Sequence, residues 1–120
     1  MIRLAVDVVR LLQRAQLDLS SEKHLQECIA SLLESVGIAF EREIRLSDRD
    51  IPDFLLAGGI AIECKMRNKA RKVAVYKQLC RYAEHEAVKV LVLASNMSIG
   101  LPPEINGKPV YVASLSHGWL

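Results

Sequence analysis

Residues 88–94 read Val-Lys-Val-Leu-Val-Leu-Ala, an apolar run broken by a single lysine. A strand of this make-up is buried on both faces, which happens when helices cover both sides of a sheet. Before it lies a helical stretch of about residues 73–86, with Val75, Leu79 and Tyr82 on one face. Before that comes a second extended run, Ile-Ala-Ile-Glu-Cys-Lys-Met at 60–66. Strand, helix and buried strand in succession describe a crossover connection. The chain is therefore expected to form an α/β sheet with helices on its faces.

The remaining elements extend that core. Residues 3–16 place Leu4, Val8, Leu11, Leu12 and Ala15 at helical spacing. The apolar face is wide, so this helix is either well packed or part of a subunit contact. Ser20 and Ser21 offer an N-cap for a second helix of about 22–36, closed by Gly37. Three extended segments follow, at about 38–46, 53–57 and 60–66, and Gly58-Gly59 marks a hairpin between the last two. Pro52 suits a strand start, since its missing N–H is not needed there. Past the buried strand, a loop from about Leu101 to Gly107 leads to a short strand near 109–114. The expected order is α-α-β-β-β-α-β-β, a mixed sheet in one domain. With 51% hydrophobic residues in 120, such a domain needs no disulfide or metal to fold. The composition excludes a disordered tail, a disulfide scaffold and a coiled coil.

Charge is unevenly spread. Residues 1–63 carry a net −4, residues 84–120 a net −1, and residues 64–83 hold seven basic side chains and no acid. These are Lys65, Arg67, Lys69, Arg71, Lys72, Lys77 and Arg81. Such a concentration attracts polyanions even when the total charge is only +2. The plainer alternative is a solvated basic face. Three cysteines without metal-ligand spacing suggest reduced thiols in a cytoplasmic compartment. The apolar N-terminal run is interrupted by Asp7, Arg10 and Arg14 and is too short to span a bilayer, so no membrane association is expected.

Side chains alternate along a strand, so Ile60, Ile62, Cys64 and Met66 share one face and Ala61, Glu63 and Lys65 the other. An acid and an amine on a central strand are costly unless paired or used. The register of the hairpin matters here. A two-residue Gly58-Gly59 turn would set Asp53 opposite Cys64. A three-residue turn, Ala57-Gly58-Gly59, sets Leu56 opposite Ile60 and Asp53 opposite Glu63. Only the second puts Phe54 and Leu56 on the apolar face with Ile60 and Ile62. Hydrophobic pattern and chemistry choose the same register. Opposed carboxylates repel unless a cation sits between them, and two oxygen ligands beside an amine suit Mg²⁺ or Mn²⁺.

Pro52-Asp53, then Glu63-Cys64-Lys65 after a hairpin, resembles the signature of the PD-(D/E)xK nuclease superfamily, the restriction-endonuclease-like fold. The expected α-β-β-β-α-β order over about residues 20–95 resembles that superfamily's core. Residues 1–19 would then be a helical extension and 96–120 a C-terminal loop and strand. Gln78 and Tyr82 resemble the Gln-x-x-x-Tyr element of RecB-like members. The resemblance implies metal ligation by Asp53, Glu63 and the main-chain carbonyl of Cys64. It implies that Lys65 orients the attacking water and stabilises charge at the phosphate, with Gln78 helping to position water or backbone. The plain alternatives are a surface amide for Gln78 and a core-edge aromatic for Tyr82.

Many members also carry an acid on the helix before the first strand. Helical geometry puts Glu22 and Gln26 at the margin of the apolar stripe and turns Glu27 and Glu34 to solvent. The acid is then Glu22, whose alternative role is to favour the helix dipole. Glu41 and Glu43 alternate with Arg42 and Arg45 as expected surface ion pairs. Together these features imply a Mg²⁺- or Mn²⁺-dependent nuclease acting on DNA. Arg67, Lys69, Arg71, Lys72, Lys77 and Arg81 would line the nucleic-acid path. Target choice would need a homodimer, as in Holliday-junction resolvases of this superfamily, or a protein partner. The alternative is a non-catalytic nucleic-acid-binding or assembly module of the same fold.

Overall fold

The computed structural model describes residues 2–67 and 71–116. Among them the order is α1 (Ile2–Arg14), α2 (Glu22–Ser35), β1 (Phe40–Arg42), β2 (Phe54–Leu56), β3 (Ile60–Lys65), α3 (Lys72–Ala83), β4 (Val90–Ser95), β5 (Glu104–Ile105) and β6 (Lys108–Ser114). The strands form one mixed sheet in the order β1-β2-β3-β4-β6-β5. β1, β2 and β3 run antiparallel, whereas β3–β4 and β4–β6 pair in parallel. Parallel pairing of β3 with β4 requires a crossover, which α3 supplies. All six residues of β4 are buried, as its apolar run demands.

The sheet separates two cores. On one side α1 and α2 bring Leu12, Leu25, Ile29 and Leu33 against Phe54, Leu56, Ile60, Ile62 and Cys64. On the other, Val75, Leu79 and Tyr82 of α3 pack on Ala61, Leu91 and Leu93. Ala5, Val8 and Leu12 are buried in the first core, so α1 spends its apolar face on the sheet. α2 begins as its sequence suggests: the Ser21 hydroxyl accepts from His24 N–H at 3.1 Å. A cap of this kind contributes about 1 kcal/mol.

The β2–β3 hairpin takes the three-residue turn, with Leu56 opposite Ile60 and Phe54 opposite Ile62. Gly59 sits at φ +92°, and a Cβ there would stand 2.7 Å from the Ala87 carbonyl oxygen. Its own carbonyl accepts from Lys89 N–H at 2.7 Å, tying the hairpin to the start of β4. Only glycine allows that approach.

Two elements differ from expectation. The first strand spans only 40–42 rather than 38–46, because Glu43 turns out of the ladder at φ +49°. The chain then closes a tight turn in which the Asp50 carbonyl accepts from Leu46 N–H at 2.9 Å. The stretch read as a loop up to Gly107 contains β5, joined to β6 through Asn106 (φ +53°) and Gly107 (φ +75°). Two positive φ angles at Asn-Gly fit the mirror-image turn of tight hairpins. Among the described residues, no helix is long and apolar enough to cross a membrane.

Candidate active site

β3 turns its ionisable side chains, Glu63 and Lys65, to the face that lies under α3. Glu63 is 5% exposed, although it is ionisable and lies mid-sheet. Its Oε2 accepts from the Lys65 ammonium at 3.1 Å. Its Oε1 accepts from the Tyr82 hydroxyl at 2.9 Å, and that hydroxyl accepts from Gln78 Nε2 at 2.8 Å. α3 therefore presents a relay, Gln78 to Tyr82 to Glu63, made possible by the four-residue spacing that stacks Gln78 and Tyr82 on one helix face. Tyr82 thus fills the core and hydrogen-bonds the buried acid at once.

Asp53 enters from the end of β2. The observed register, extended one pair beyond Phe54–Ile62, sets it opposite Glu63. Its Oδ2 accepts from Cys64 N–H at 2.7 Å, and its carbonyl accepts from Glu43 N–H at 3.0 Å. Buried Pro52 precedes it and fixes the approach of the chain. The Cys64 thiol lies in the opposite core, where burial pushes its pKa well up, so any ligand role of Cys64 falls to its main chain. Glu22 at the start of α2 is near enough that its negative charge helps raise both Asp53 and Cys64. Gln26, one turn on, is half-buried and hydrogen-bonds none of these groups.

The electrostatics are those of an acid pair short of positive charge. Burial is the largest cause that lifts Asp53, and Glu22 and Glu43 add to it, against the Cys64 N–H and the Lys65 charge. Burial also lifts Glu63, to about 7, and the charge of Asp53 adds to the effect against Lys65 and Tyr82. The Tyr82 hydroxyl is raised by burial and by Glu63, which keeps it a donor.

Asp53, Glu63 and the Cys64 carbonyl offer hard oxygens, the donor type that Mg²⁺ and Mn²⁺ take. Two desolvated, mutually repelling carboxyls are the electrostatic environment that a divalent cation would relieve. Both Glu63 oxygens already accept a hydrogen bond, but each has a second lone pair. Among the described residues, no group of three or more His, Cys, Asp or Glu could hold a metal. The oxygens at hand are two carboxylates and a main-chain carbonyl, so a cation here would need water to complete its shell.

The basic stretch divides. Arg67, Arg71, Lys72 and Lys77 are exposed, and Lys69 lies outside the described residues. Arg67 N–H donates to Asn96 Oδ1 at 2.9 Å, which holds the exit of β3 to the exit of β4. Arg81 departs from the expected row. Its Nε donates to Asp50 Oδ1 at 2.9 Å, and His85 Nε2 donates to Asp50 Oδ2 at 2.9 Å. The acid-free stretch in the sequence hid this pairing, because its partner lies 31 residues upstream. Arg81 lies in the last turn of α3 and His85 just past its C-terminal cap, and the two converge on Asp50 only in the fold. Of the alternating charges at 41–45, Arg42 pairs with Glu27 at 2.9 Å and Arg45 donates to the Asp48 carbonyl.

Comparison with family models, with curated proteins and with solved structures returned no match.

Proposed function

We propose that this chain is a nuclease of the restriction-endonuclease-like type that hydrolyses DNA phosphodiesters with Mg²⁺ or Mn²⁺. The observation that carries the proposal is the convergence of Asp53, Glu63 and Lys65. Two opposed, desolvated carboxyls share one ammonium on the same strand face, beside an exposed basic surface. The element order from α2 to β4 supports the fold assignment.

Asp53, Glu63 and the Cys64 carbonyl would hold the metal. Bound there, it would lower the pKa of a coordinated water and neutralise charge on a phosphoryl oxygen. The Lys65 ammonium lies against Glu63, where it would orient the attacking water and stabilise charge developing on the phosphate. Tyr82 fixes the Glu63 carboxylate, and Gln78 fixes the Tyr82 hydroxyl. Arg67, Arg71, Lys72 and Lys77 supply a path for the DNA backbone. Glu22, whose charge reaches Asp53, would be a further acid beside the metal ligands.

One observation favours a second reading, a nucleic-acid-binding or assembly module without catalysis. Lys65 and Tyr82 together satisfy both oxygens of Glu63, which is also what a closed, structural ion pair looks like. Cleavage of DNA with Mg²⁺, Mn²⁺, Ca²⁺ or chelator separates the two. The nuclease should cut with Mg²⁺ or Mn²⁺ and bind with little cutting in Ca²⁺. Binding without cutting in every metal would favour the module.

A further inference from the structure

We propose that Asp50, Arg81 and His85 form a clamp that positions Asp53 for metal binding, so that α3 aligns both acids of the site. This rests on the nuclease reading above. Glu63 is aligned by α3 through Tyr82 and Gln78. Asp53 has no such direct contact with α3, and it sits at the end of the irregular segment that leaves β1 at Glu43. Hydrogen bonds from Cys64 and Glu43 N–H hold Asp53 itself, but the segment leading into it needs its own anchor.

Asp50 is that anchor. It lies three residues before Asp53 and is 6% exposed. Its carbonyl accepts from Leu46 N–H at 2.9 Å, and its own N–H donates to Ser47 Oγ at 3.2 Å, closing the turn. Its carboxylate takes Arg81 on one oxygen and His85 on the other, both 2.9 Å away. Arg81 is adjacent to Tyr82, so the last turn of α3 holds both Asp50 and Glu63. Between Asp50 and Asp53 there is only Ile51 and buried Pro52, whose ring restricts both itself and the residue before it. A shift of the Asp50 turn is therefore passed on to Asp53. Arg81 and His85 touch neither proposed ligand, so they are positioning residues.

The test uses the full chain and four variants: His85→Ala, His85→Gln, Arg81→Met and Arg81→Lys. The glutamine side chain of His85→Gln keeps a donor near the position of imidazole Nε2. Asn106→Gly is the control, since Asn106 ties the same end of α3 to the opposite sheet edge by donating to the Ala83 carbonyl at 3.1 Å. Loss of a direct outer partner of a metal ligand typically costs about 10–100-fold in metal affinity or activity, and a clamp one step further out should cost about the lower end of that range. His85→Ala and Arg81→Met should lower kcat on DNA by about that factor, with KM nearly unchanged. Calorimetry should show Mg²⁺ binding weakened to a similar extent. His85→Gln and Arg81→Lys should recover most of both losses, and Asn106→Gly should show neither. If Arg81→Met instead raises KM and lowers the salt slope by about one, with kcat intact, Arg81 is a phosphate contact and the clamp is overturned. Equal losses in Asn106→Gly would also overturn it, by showing a merely structural effect. If the parent cleaves nothing, the nuclease reading fails and the Mg²⁺ calorimetry decides the clamp. Unchanged Mg²⁺ binding in His85→Ala and Arg81→Met, or a parent that binds no Mg²⁺, overturns it.

Discussion

The two faces of β3 both lie under helices, yet they are built on opposite terms. Ile60, Ile62, Cys64 and Met66 face α1 and α2 and contribute by transfer from water and close packing. Ala61, Glu63 and Lys65 face α3, and two of those three are charged groups, Glu63 buried and Lys65 half-buried. The apolar face would be well served by many aliphatic combinations of the right volume. On the charged face Glu63 is instead held by specific partners, Lys65 on one oxygen and Tyr82 on the other. Among the described residues, no buried side-chain nitrogen or oxygen lacks a hydrogen-bond partner. A face that is costly to bury and fully paired is what the proposed active site requires.

The largest expected effects separate the two faces by observable. Ile60→Ala empties volume beside Leu56 in the first core and should lower unfolding free energy by about 2–5 kcal/mol. Denaturant melts should register that loss, while the cleavage rate per folded molecule stays near the parent. Lys65→Ala should do the reverse. Single-turnover cleavage at saturating DNA should fall by ~10²–10³, with only a modest loss of DNA affinity. If Lys65→Ala cuts at the parent rate once saturated, the charged face is not the active site.

Glu63 gives the next effect, through pH. Its folded-state pKa of about 7 lies above its ordinary value of 4.5, so the folded state holds its proton more tightly than the unfolded chain. That group's contribution to stability is present below the ordinary value and is lost as pH rises from there to about 7. Glu63→Gln removes the titration. Without metal, the variant should gain about 1–3 kcal/mol relative to the parent as pH rises from about 4.5 to about 8. A constant offset across that range would contradict the assigned shift.

The smallest effect belongs to the exposed basic surface. Arg71→Ala should weaken DNA binding and reduce the salt slope by about one, with the saturated rate intact. Titrations at several salt concentrations would show it, and a fall in the saturated rate would place Arg71 in the site instead.

The hairpin register was readable in advance because two independent constraints met at Asp53: apolar Phe54 and Leu56 had to face the core, and Gly58-Gly59 could supply the turn. The buried character of β4 followed from its apolar run, and the shared face of Glu63 and Lys65 from strand alternation. The short β1 was not readable, since nothing in Glu43 announces a positive φ. β5 was missed because two residues carry no periodicity, although Asn106-Gly107 offered the turn signal. Arg81 was misplaced for a different reason. Local charge counting sees seven cations together, but ion pairing is decided across the fold, where Asp50 approaches from 31 residues away. The relay through Tyr82 likewise needed α3 to be seen lying over β3.

Metal binding tests the site most directly, since it depends on both acids and on nothing else about the substrate. Mg²⁺ should bind the parent by calorimetry, more tightly at about pH 8 than at about pH 6, because Glu63 must release its proton to serve as a ligand. The same titration on Asp53→Ala should show no binding at this site, and DNA cleavage should vanish in parallel and in chelator. Mg²⁺ binding that survives in Asp53→Ala, or robust cleavage in chelator, would contradict the assignment of Asp53 and Glu63 as a metal-dependent active site.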